Sequence, residues 1–184
     1  MNLLWMSNAP WAGTGYGQQT KLVLKGLLNR GINPACFSFY GLSGGAVSYD
    51  GYICLPNSDA DGWGNDIVKA HLERGKNDAI VSLIDVFVLD TRVWKDMGVP
   101  WFAWTPIDSE TIGVPTLQRL KVCPSPVAMS HHGAEQMMNH NITPVDVIYH
   151  AVDTEMYQPL DQRECRDALG IDQDIHCSLH VHGD

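Results

Sequence analysis

The chain has 184 residues, of which 45% are hydrophobic and 18% are charged. This length fits one well-buried core and is too short for two full α/β domains. The 21 acidic and 12 basic residues give a formal net charge of -9. Because such an acidic excess opposes the phosphate contacts that supply most nucleic-acid affinity, composition disfavours DNA, RNA and anionic membrane surfaces as partners.

The five cysteines are odd in number and widely spaced: Cys36, Cys54, Cys123, Cys165 and Cys177. Since none forms a C-x-x-C pair, neither a disulfide framework nor a zinc site is indicated, and a reducing compartment fits best. The first six residues lack the basic start of a signal peptide. The longest apolar stretch, 79–89, is shorter than the ~20 residues of a membrane span. We therefore expect a soluble, cytoplasmic protein.

The N-terminal segment changes its hydrophobic period twice. Leu3 to Met6 is typical of a short buried strand, and the turn-rich segment 7–17 follows it. From Leu22 onward, leucines and valines recur at helical spacing until Gly31, a residue suited to the left-handed position after a helix. The sequence therefore begins with a strand, a glycine-rich loop and a helix.

The same alternation continues along the chain. Further apolar or β-branched runs occur at Cys36–Phe39, Ala79–Leu83, Trp101–Thr105, Val127–Met129 and Val145–Tyr149. Helix-like stretches separate them near 64–74, 86–97, 116–122 and 132–139, and Tyr52–Leu55 adds a small strand after the loop 41–48. This pattern predicts an α/β fold with one doubly wound, mainly parallel Rossmann-like sheet over 1–150, whose first strand is central.

The segment 151–184 differs in character. It predicts a linker, a helix over Asp161–Leu169 that ends at Gly170, and one strand over Ile175–Val181. Cys165, Ala168 and Leu169 form a narrow apolar stripe on that helix. We expect this stripe to pack on the first domain or on another copy of the chain, which makes a homo-oligomer possible.

The glycines of the first loop are candidates for anion binding. Gly13, Gly15 and Gly17 lie between a strand and a helix N-terminus, where unpaired backbone amides and the helix dipole favour negative charge. A loop that only needs tight turns would have the same composition. The spacing is not the dinucleotide G-x-G-x-x-G, and the second strand ends in Phe39-Tyr40 instead of an acidic residue, so a nicotinamide-dependent dehydrogenase is disfavoured.

Four segments together resemble the family-four retaining glycosyltransferases, which have the GT-B fold. They are Thr14-Gly15-Tyr16-Gly17, the segment 105–110 containing Pro106-Ile107-Asp108-Ser109, the strand-to-helix turn 127–135, and the linker 147–159. The linker is the most specific match, although Ala151 replaces a glycine of the family pattern. The matches run in the family's order and cover about residues 1–170.

This resemblance implies the N-terminal, acceptor-side half of an enzyme that transfers a sugar from a nucleotide-sugar donor to an acceptor hydroxyl with net retention. It implies no cofactor and no metal. The chain departs from the family in having no pair of glutamates eight residues apart, so we expect these 184 residues not to include the donor-binding domain. We therefore expect weak activity, or none, unless a separate partner supplies the donor site.

The resemblance also implies roles for individual residues. Backbone amides of the loop 13–17 (Gly13, Thr14, Gly15, Tyr16 and Gly17) would hold the phosphates of the donor. Asp108 and His150, at the ends of predicted strands, are candidates for contact with the acceptor or the reacting sugar. Ser130 and His131 are candidates on the acceptor side.

Other motifs carry less weight. Asp59-Ala60-Asp61 matches the D-x-D metal motif, yet such short matches are frequent, and Asp61 is more simply a helix N-cap. His176, His180 and His182 alternate in the tail and are typical of polar tail residues, although adventitious metal binding is conceivable. Cys123 is expected to be a buried, inert thiol. No metal site is expected.

A rival hypothesis comes from another functional class. The chain would then be a non-catalytic module that binds an acceptor or an anion, or a subunit that depends on a partner carrying the donor domain. The missing donor half is its chief support.

Overall fold

The computed structural model describes residues 1–178, and these form eight strands and six α-helices. The strands are β1 (Asn2–Asn8), β2 (Asn33–Tyr40), β3 (Val47–Tyr49), β4 (Tyr52–Pro56), β5 (Ala79–Leu83), β6 (Trp101–Thr105), β7 (Ser125–Ala128) and β8 (Asp146–Val147). The helices are α1 (Gly15–Asn29), α2 (Val68–Arg74), α3 (Thr91–Trp94), α4 (Val114–Leu120), α5 (His131–Asn139) and α6 (Gln162–Leu169).

The strands form one sheet in the order β3-β4-β2-β1-β5-β6-β7-β8. Neighbouring strands are parallel except for the antiparallel pair β3 and β4. The chain moves from β1 to β2 in one direction and from β5 to β8 in the other. Since crossovers between parallel strands are right-handed, these two halves place their helices on opposite faces. The prediction of a doubly wound, mainly parallel sheet with a central first strand is confirmed.

Alternating residues of the strands supply the two layers of the core. On one face, Leu4, Ile80 and Ala103 belong to a cluster that includes apolar residues of α2, α3, α4 and α5. On the other face, Trp5 and Trp104 pack in a second cluster with Leu24 of α1. Each strand residue therefore contacts a helix layer according to its place in the pleat.

The chain divides into two compact units, Met1–Ala151 and a second that begins at Val152. The first holds the sheet. The second holds α6, where the Asp161 carboxylate accepts a hydrogen bond of 2.9 Å from the Glu164 amide, and Gly170 ends the helix at φ +67°. The predicted tail helix is confirmed. Whether its apolar stripe packs on a partner stays a prediction.

Three local predictions are wrong. The predicted helix 86–97 is a 3₁₀ turn at Val86–Val88 followed by the short α3, because the extended backbone at Asp90 interrupts it. The predicted strand Val145–Tyr149 shrinks to Asp146–Val147, since the sheet ends there and β8 has one neighbour.

The third error concerns Asp61, which is not a helix N-cap. The flanking residue of α2 is Ile67, and its side chain makes no capping hydrogen bond. The Asp61 carboxylate instead accepts hydrogen bonds from the amides of Trp63 (2.8 Å) and Asn65 (3.2 Å) in the preceding turn.

In the tail, 175–178 form no strand, and the remainder of the predicted strand, 179–181, lies outside the described residues. Within residues 1–178, no helix is both long and apolar enough to cross a membrane.

Candidate functional site

The sheet has its topological switch point between β1 and β5, where the strand order reverses. In open parallel sheets a crevice forms outside the carboxyl ends of the strands at this point, and ligands bind there. The candidate residues follow the carboxyl ends of parallel strands: the glycine loop follows β1, Asp108 follows β6, Ser130 follows β7 and His150 follows β8. The fold therefore brings them to one edge of the sheet.

The N-terminus of α1 is built at this edge by two side chains. Thr14 Oγ1 accepts a hydrogen bond of 3.0 Å from the Gly17 amide and so caps the helix. Asn8, the last residue of β1, donates from Nδ2 to the same oxygen at 2.7 Å. Within residues 1–178, the amides of Gly15 and Tyr16 have no hydrogen-bond acceptor. Two donors at the positive end of a 15-residue helix are thus open to an anion.

The three glycines of the loop serve different purposes. A Cβ atom on Gly17 would lie 2.4 Å from the Ala12 carbonyl oxygen, so the close approach of helix and loop requires glycine there. A Cβ atom on Gly13 or Gly15 would meet nothing within 4 Å. Gly17 is thereby explained by packing. Gly13 and Gly15 leave the backbone open to a ligand.

Tyr16 connects the glycine loop with the next strands of the edge. Its hydroxyl donates a hydrogen bond of 3.1 Å to the Asp85 carboxylate, directly beyond β5. Burial, with the charges of Asp85 and Asp108, raises the pKa of Tyr16 far above its ordinary value. Tyr16 therefore stays protonated and acts as a donor. Asp85 was not among the residues predicted from the sequence, although its position just after a buried apolar strand could have indicated it.

His150 lies on the other side of Tyr16. Its ring meets Trp104 at 5.1 Å and Tyr16 at 6.3 Å between centroids, both edge-to-face. Burial lowers the pKa of His150, which favours the neutral imidazole at neutral pH. A neutral imidazole can both donate and accept a hydrogen bond.

Two contacts fix the segment that carries His150. The indole of Trp104 donates to the Ile148 carbonyl at 2.8 Å. The side chain of Gln19, on α1, donates to the Ala151 carbonyl and accepts from the Ala151 amide, both at 2.7 Å. Gln19 could not be predicted from the sequence, because nothing local indicates a partner 132 residues away.

The remaining candidates occupy the far part of the edge. Asp108 is exposed. Ser130 caps α5 by accepting a hydrogen bond of 3.0 Å from the Gly133 amide. His131 begins that helix and packs edge-to-face on Tyr149 at 5.9 Å. Ser130 thus has a structural role whatever else it contacts.

A cavity of about 380 Å³ opens between the carboxyl ends of β1, β2 and β5. Its polar lining comes from Asn8, Thr14, Tyr16 and Asp85, and its apolar lining from Phe39, Tyr40, Trp63, Ile84, Phe87 and Val88, with Gly62. Among residues 1–178, no Lys or Arg lines the cavity.

The alternative motifs have simple structural environments. The Asp61 carboxylate is occupied by its own turn, and residues 1–178 hold no cluster of three or more His, Cys, Asp or Glu side chains suited to a metal ion. His176 lies within 3.2 Å of the Ser178 hydroxyl, while His180 and His182 lie outside the described residues. Cys123 is buried as predicted, and burial raises the pKa of its thiol to about 11, which keeps it protonated and unreactive.

No protein-family model matches the chain, and no curated protein matches its sequence. Among solved structures, MurG of Acinetobacter baumannii is similar at 10% identity and a TM-score of 0.44, over 80% of this chain and 44% of that one. An alpha-glucosyltransferase solved with UDP and a 13-mer DNA is similar at 12% identity and a TM-score of 0.45, over 93% and 44%.

A third similar structure is the Sure protein of Aquifex aeolicus, at 14% identity and a TM-score of 0.31, over 59% of this chain and 52% of that one. The chain spans less than half the length of MurG and of the alpha-glucosyltransferase. These likenesses are distant. The sheet order and its crossovers establish that the chain has a Rossmann-like α/β fold.

Proposed function

We propose that this chain is the acceptor-side half of a GT-B glycosyltransferase, which transfers a sugar from a nucleotide-sugar donor to an acceptor hydroxyl with retention. The observation that carries the proposal is the N-terminus of α1. It presents the open amides of Gly15 and Tyr16 at the switch point of a parallel sheet. The family-four resemblance of the loop and the linker supports the same reaction class.

The chemistry suits such a site. As the bond between the sugar and the diphosphate of the donor breaks, negative charge builds on the departing diphosphate while positive charge develops on the sugar ring. Amides fixed by a capped helix stabilise that growing negative charge more in the transition state than in the ground state, and this difference accelerates the step. The Thr14 cap and its bond from Asn8 hold the amides in place. The donor phosphates can be held in this way without a metal ion.

The other candidate residues receive roles that follow from their positions. His150, packed on Tyr16, would contact the reacting sugar or the acceptor hydroxyl with its neutral ring. Asp108, exposed beyond β6, would contact the acceptor. Ser130 and His131 at the start of α5 would border its outer part.

The donor's base and ribose would be bound by a second domain or a partner chain. Each hydrogen bond to a charged group contributes about 1.5–3 kcal/mol. Two such bonds supply about 3–6 kcal/mol before the entropy lost on association is subtracted, so the affinity is expected to be millimolar at best. We therefore expect the isolated chain to bind phosphates weakly and to transfer sugar slowly or not at all.

Titration calorimetry with UDP and with inorganic pyrophosphate tests the phosphate site. Binding should be weak in the unmodified chain and lost in Gly15→Val, because the added side chain would cover the amides. Asp108→Ala is the matched control at the same edge and should leave phosphate binding intact. Binding that survives Gly15→Val would place the anion elsewhere.

A donor-hydrolysis assay with a panel of nucleotide sugars tests whether the donor site needs a second domain or a partner chain. Micromolar affinity and turnover by this chain alone would show that it carries a complete donor site, contrary to the proposal.

The second candidate is a non-catalytic module that binds an acceptor. It is favoured by the cavity, whose charged lining group is the carboxylate of Asp85 and not a basic side chain. Binding of acceptors without any transfer, even after addition of a donor-binding partner, would support it.

A further inference from the structure

Exposed aromatic side chains converge on the cavity beside the glycine loop. Trp63 and Phe87 are 46% and 49% exposed, and both line it together with Phe39 and Tyr40. Single exposed apolar residues are normal on a protein surface, whereas several around one cavity mark a binding site. Trp63 also packs against Phe39 at 5.9 Å between ring centroids. The cavity thus has an aromatic wall open to solvent.

The turn that carries Trp63 is held by several hydrogen bonds. Asp61 accepts from the Trp63 amide, and Asn65 Oδ1 accepts both the Asp90 amide at 2.8 Å and the Trp94 indole at 2.9 Å. Gly64 lies at φ +73°, and a Cβ atom there would come within 2.2 Å of the Phe37 ring, so the turn fits against the core in one way. The wall is therefore formed before a ligand arrives, which lowers the entropic cost of binding.

The charged group of the cavity, the Asp85 carboxylate, is a hydrogen-bond acceptor. Tyr16 supplies one hydrogen bond to the Asp85 carboxylate, which has about four acceptor positions. Asn8 uses one Nδ2 hydrogen on Thr14, which leaves its carbonyl oxygen as an acceptor and its second Nδ2 hydrogen as a donor. Such groups recognise a ligand that donates hydrogen bonds, such as a hydroxyl-bearing ring. The Asp85 charge also repels a phosphate or carboxylate on the ligand.

We propose that this cavity is the acceptor subsite and that it takes an uncharged saccharide ring. Trp63 and Phe87 would pack on the apolar C–H face of the ring, and Asp85 would accept a hydrogen bond from a ring hydroxyl. At about 380 Å³, the cavity is near the small end of the ~300–1,000 Å³ typical of ligand sites, which suits a terminal ring. This inference rests on the proposed function, because Thr14 and Tyr16 border both the cavity and the phosphate-binding amides.

Saturation-transfer NMR with the full chain tests the inference. The probes are the methyl pyranosides of glucose, galactose, mannose and N-acetylglucosamine, the corresponding 6-phosphates, and uridine. At least one neutral pyranoside should bind at millimolar concentration, and in Gly15→Val, whose phosphate site is blocked, its phosphorylated form should bind at least tenfold more weakly. Absence of binding by every neutral pyranoside overturns the inference. Binding of the phosphates as tightly as the neutral sugars in Gly15→Val, or binding of uridine alone, overturns it too.

Matched variants locate the bound sugar. Trp63→Ala and Phe87→Ala should each weaken saccharide binding at least fivefold. Trp11→Ala should not, since Trp11 is 41% exposed, packs on Tyr49 and lies outside the cavity. Asp85→Asn should weaken binding of the neutral sugar and reduce the ratio of its affinity to that of the 6-phosphate. Urea midpoints equal to that of the unmodified chain show that each variant folds. Binding unaffected by both Trp63→Ala and Phe87→Ala overturns the inference.

These titrations contain no nucleotide sugar, so the two proposals fail separately. A chain that binds the saccharide through Trp63 but neither binds diphosphate nor hydrolyses a donor keeps this subsite and loses the proposed function. A chain that binds diphosphate at Gly15 but no saccharide at Trp63 keeps the proposed function and loses this subsite.

Discussion

Tryptophan is used in two different ways in this molecule. Trp94 and Trp101 lie in the core, where their rings meet at 4.8 Å and their indoles donate to Asn65 and Ser82. Trp63, at the carboxyl edge, leaves almost half of its surface open. Core tryptophans contribute mainly to the free energy of folding, whereas an aromatic residue held open at an edge is available to a ligand.

The two regions are connected through one side chain. Asn65 accepts the indole hydrogen bond of Trp94 and belongs to the turn that presents Trp63. The well-packed face of the sheet therefore positions the wall of the cavity. Substitutions in the core should change stability first, and substitutions at the edge should change binding first.

The largest expected effect separates the two regions directly. Trp101→Ala removes a fully buried ring and leaves the Ser82 hydroxyl without its partner, so it should lower the free energy of unfolding by about 3–5 kcal/mol. Trp63→Ala should change it by less than ~0.5 kcal/mol. Urea denaturation followed by circular dichroism measures both. Equal losses would mean that Trp63 belongs to the core in stability as well.

Substitutions in the glycine loop also separate residues needed for stability from residues open to a ligand, with smaller expected losses of stability. Gly17→Ala forces a methyl group against the Ala12 carbonyl oxygen and should cost about 1–3 kcal/mol of stability. Gly15→Ala places its methyl group in open space and should stay within ~0.5 kcal/mol. Denaturation curves give the stabilities, and pyrophosphate calorimetry gives the affinity. A stable Gly17→Ala variant would contradict the packing role.

The two helix N-caps, Thr14 and Ser130, should differ in stability cost and in their effect on phosphate binding. Ser130→Ala and Thr14→Ala each remove a capping oxygen and should each cost about 1 kcal/mol. Thr14→Ala should cost more, because it also leaves the Asn8 amide without its acceptor. Only Thr14→Ala should weaken phosphate binding. A Ser130→Ala variant that weakens it equally would extend the anion site to α5.

The smallest expected effect is a pH dependence in the core. His71 is buried beside Phe37, donates to the Pro56 carbonyl and faces the charge of Arg74, and burial lowers its pKa. The unfolded chain therefore takes up a proton first, so stability contributed by neutral His71 is present above pH ~6.5 and lost as pH falls below it. Urea midpoints at pH 7.5 and 5.5 should differ less in His71→Gln. An unchanged difference would assign the effect to other groups.

The amino-acid sequence by itself determined the fold class. Buried runs such as Ala79–Leu83 and Trp101–Thr105 are strands, and the periodic segment after the glycine loop is α1. These features follow from neighbouring residues, because a strand alternates every two residues and a helix every 3.6. Asp108 and His150 were placed at predicted strand ends in the same way, whereas Ser130 was indicated by the family resemblance of the turn 127–135. Their catalytic or acceptor roles stay predictions.

Only the tertiary structure decided which side chains meet. Asp85 pairs with Tyr16 across 69 residues, and Gln19 holds Ala151 across 132. Trp63 became a candidate only when its turn was seen against the core. Gly15 and Gly17 cannot be told apart in the sequence. A Cβ atom on Gly15 would face open space, whereas a Cβ atom on Gly17 would meet the Ala12 carbonyl oxygen. Local periodicity sets where the backbone becomes helix or strand, whereas the contacts of a side chain depend on how distant segments pack together.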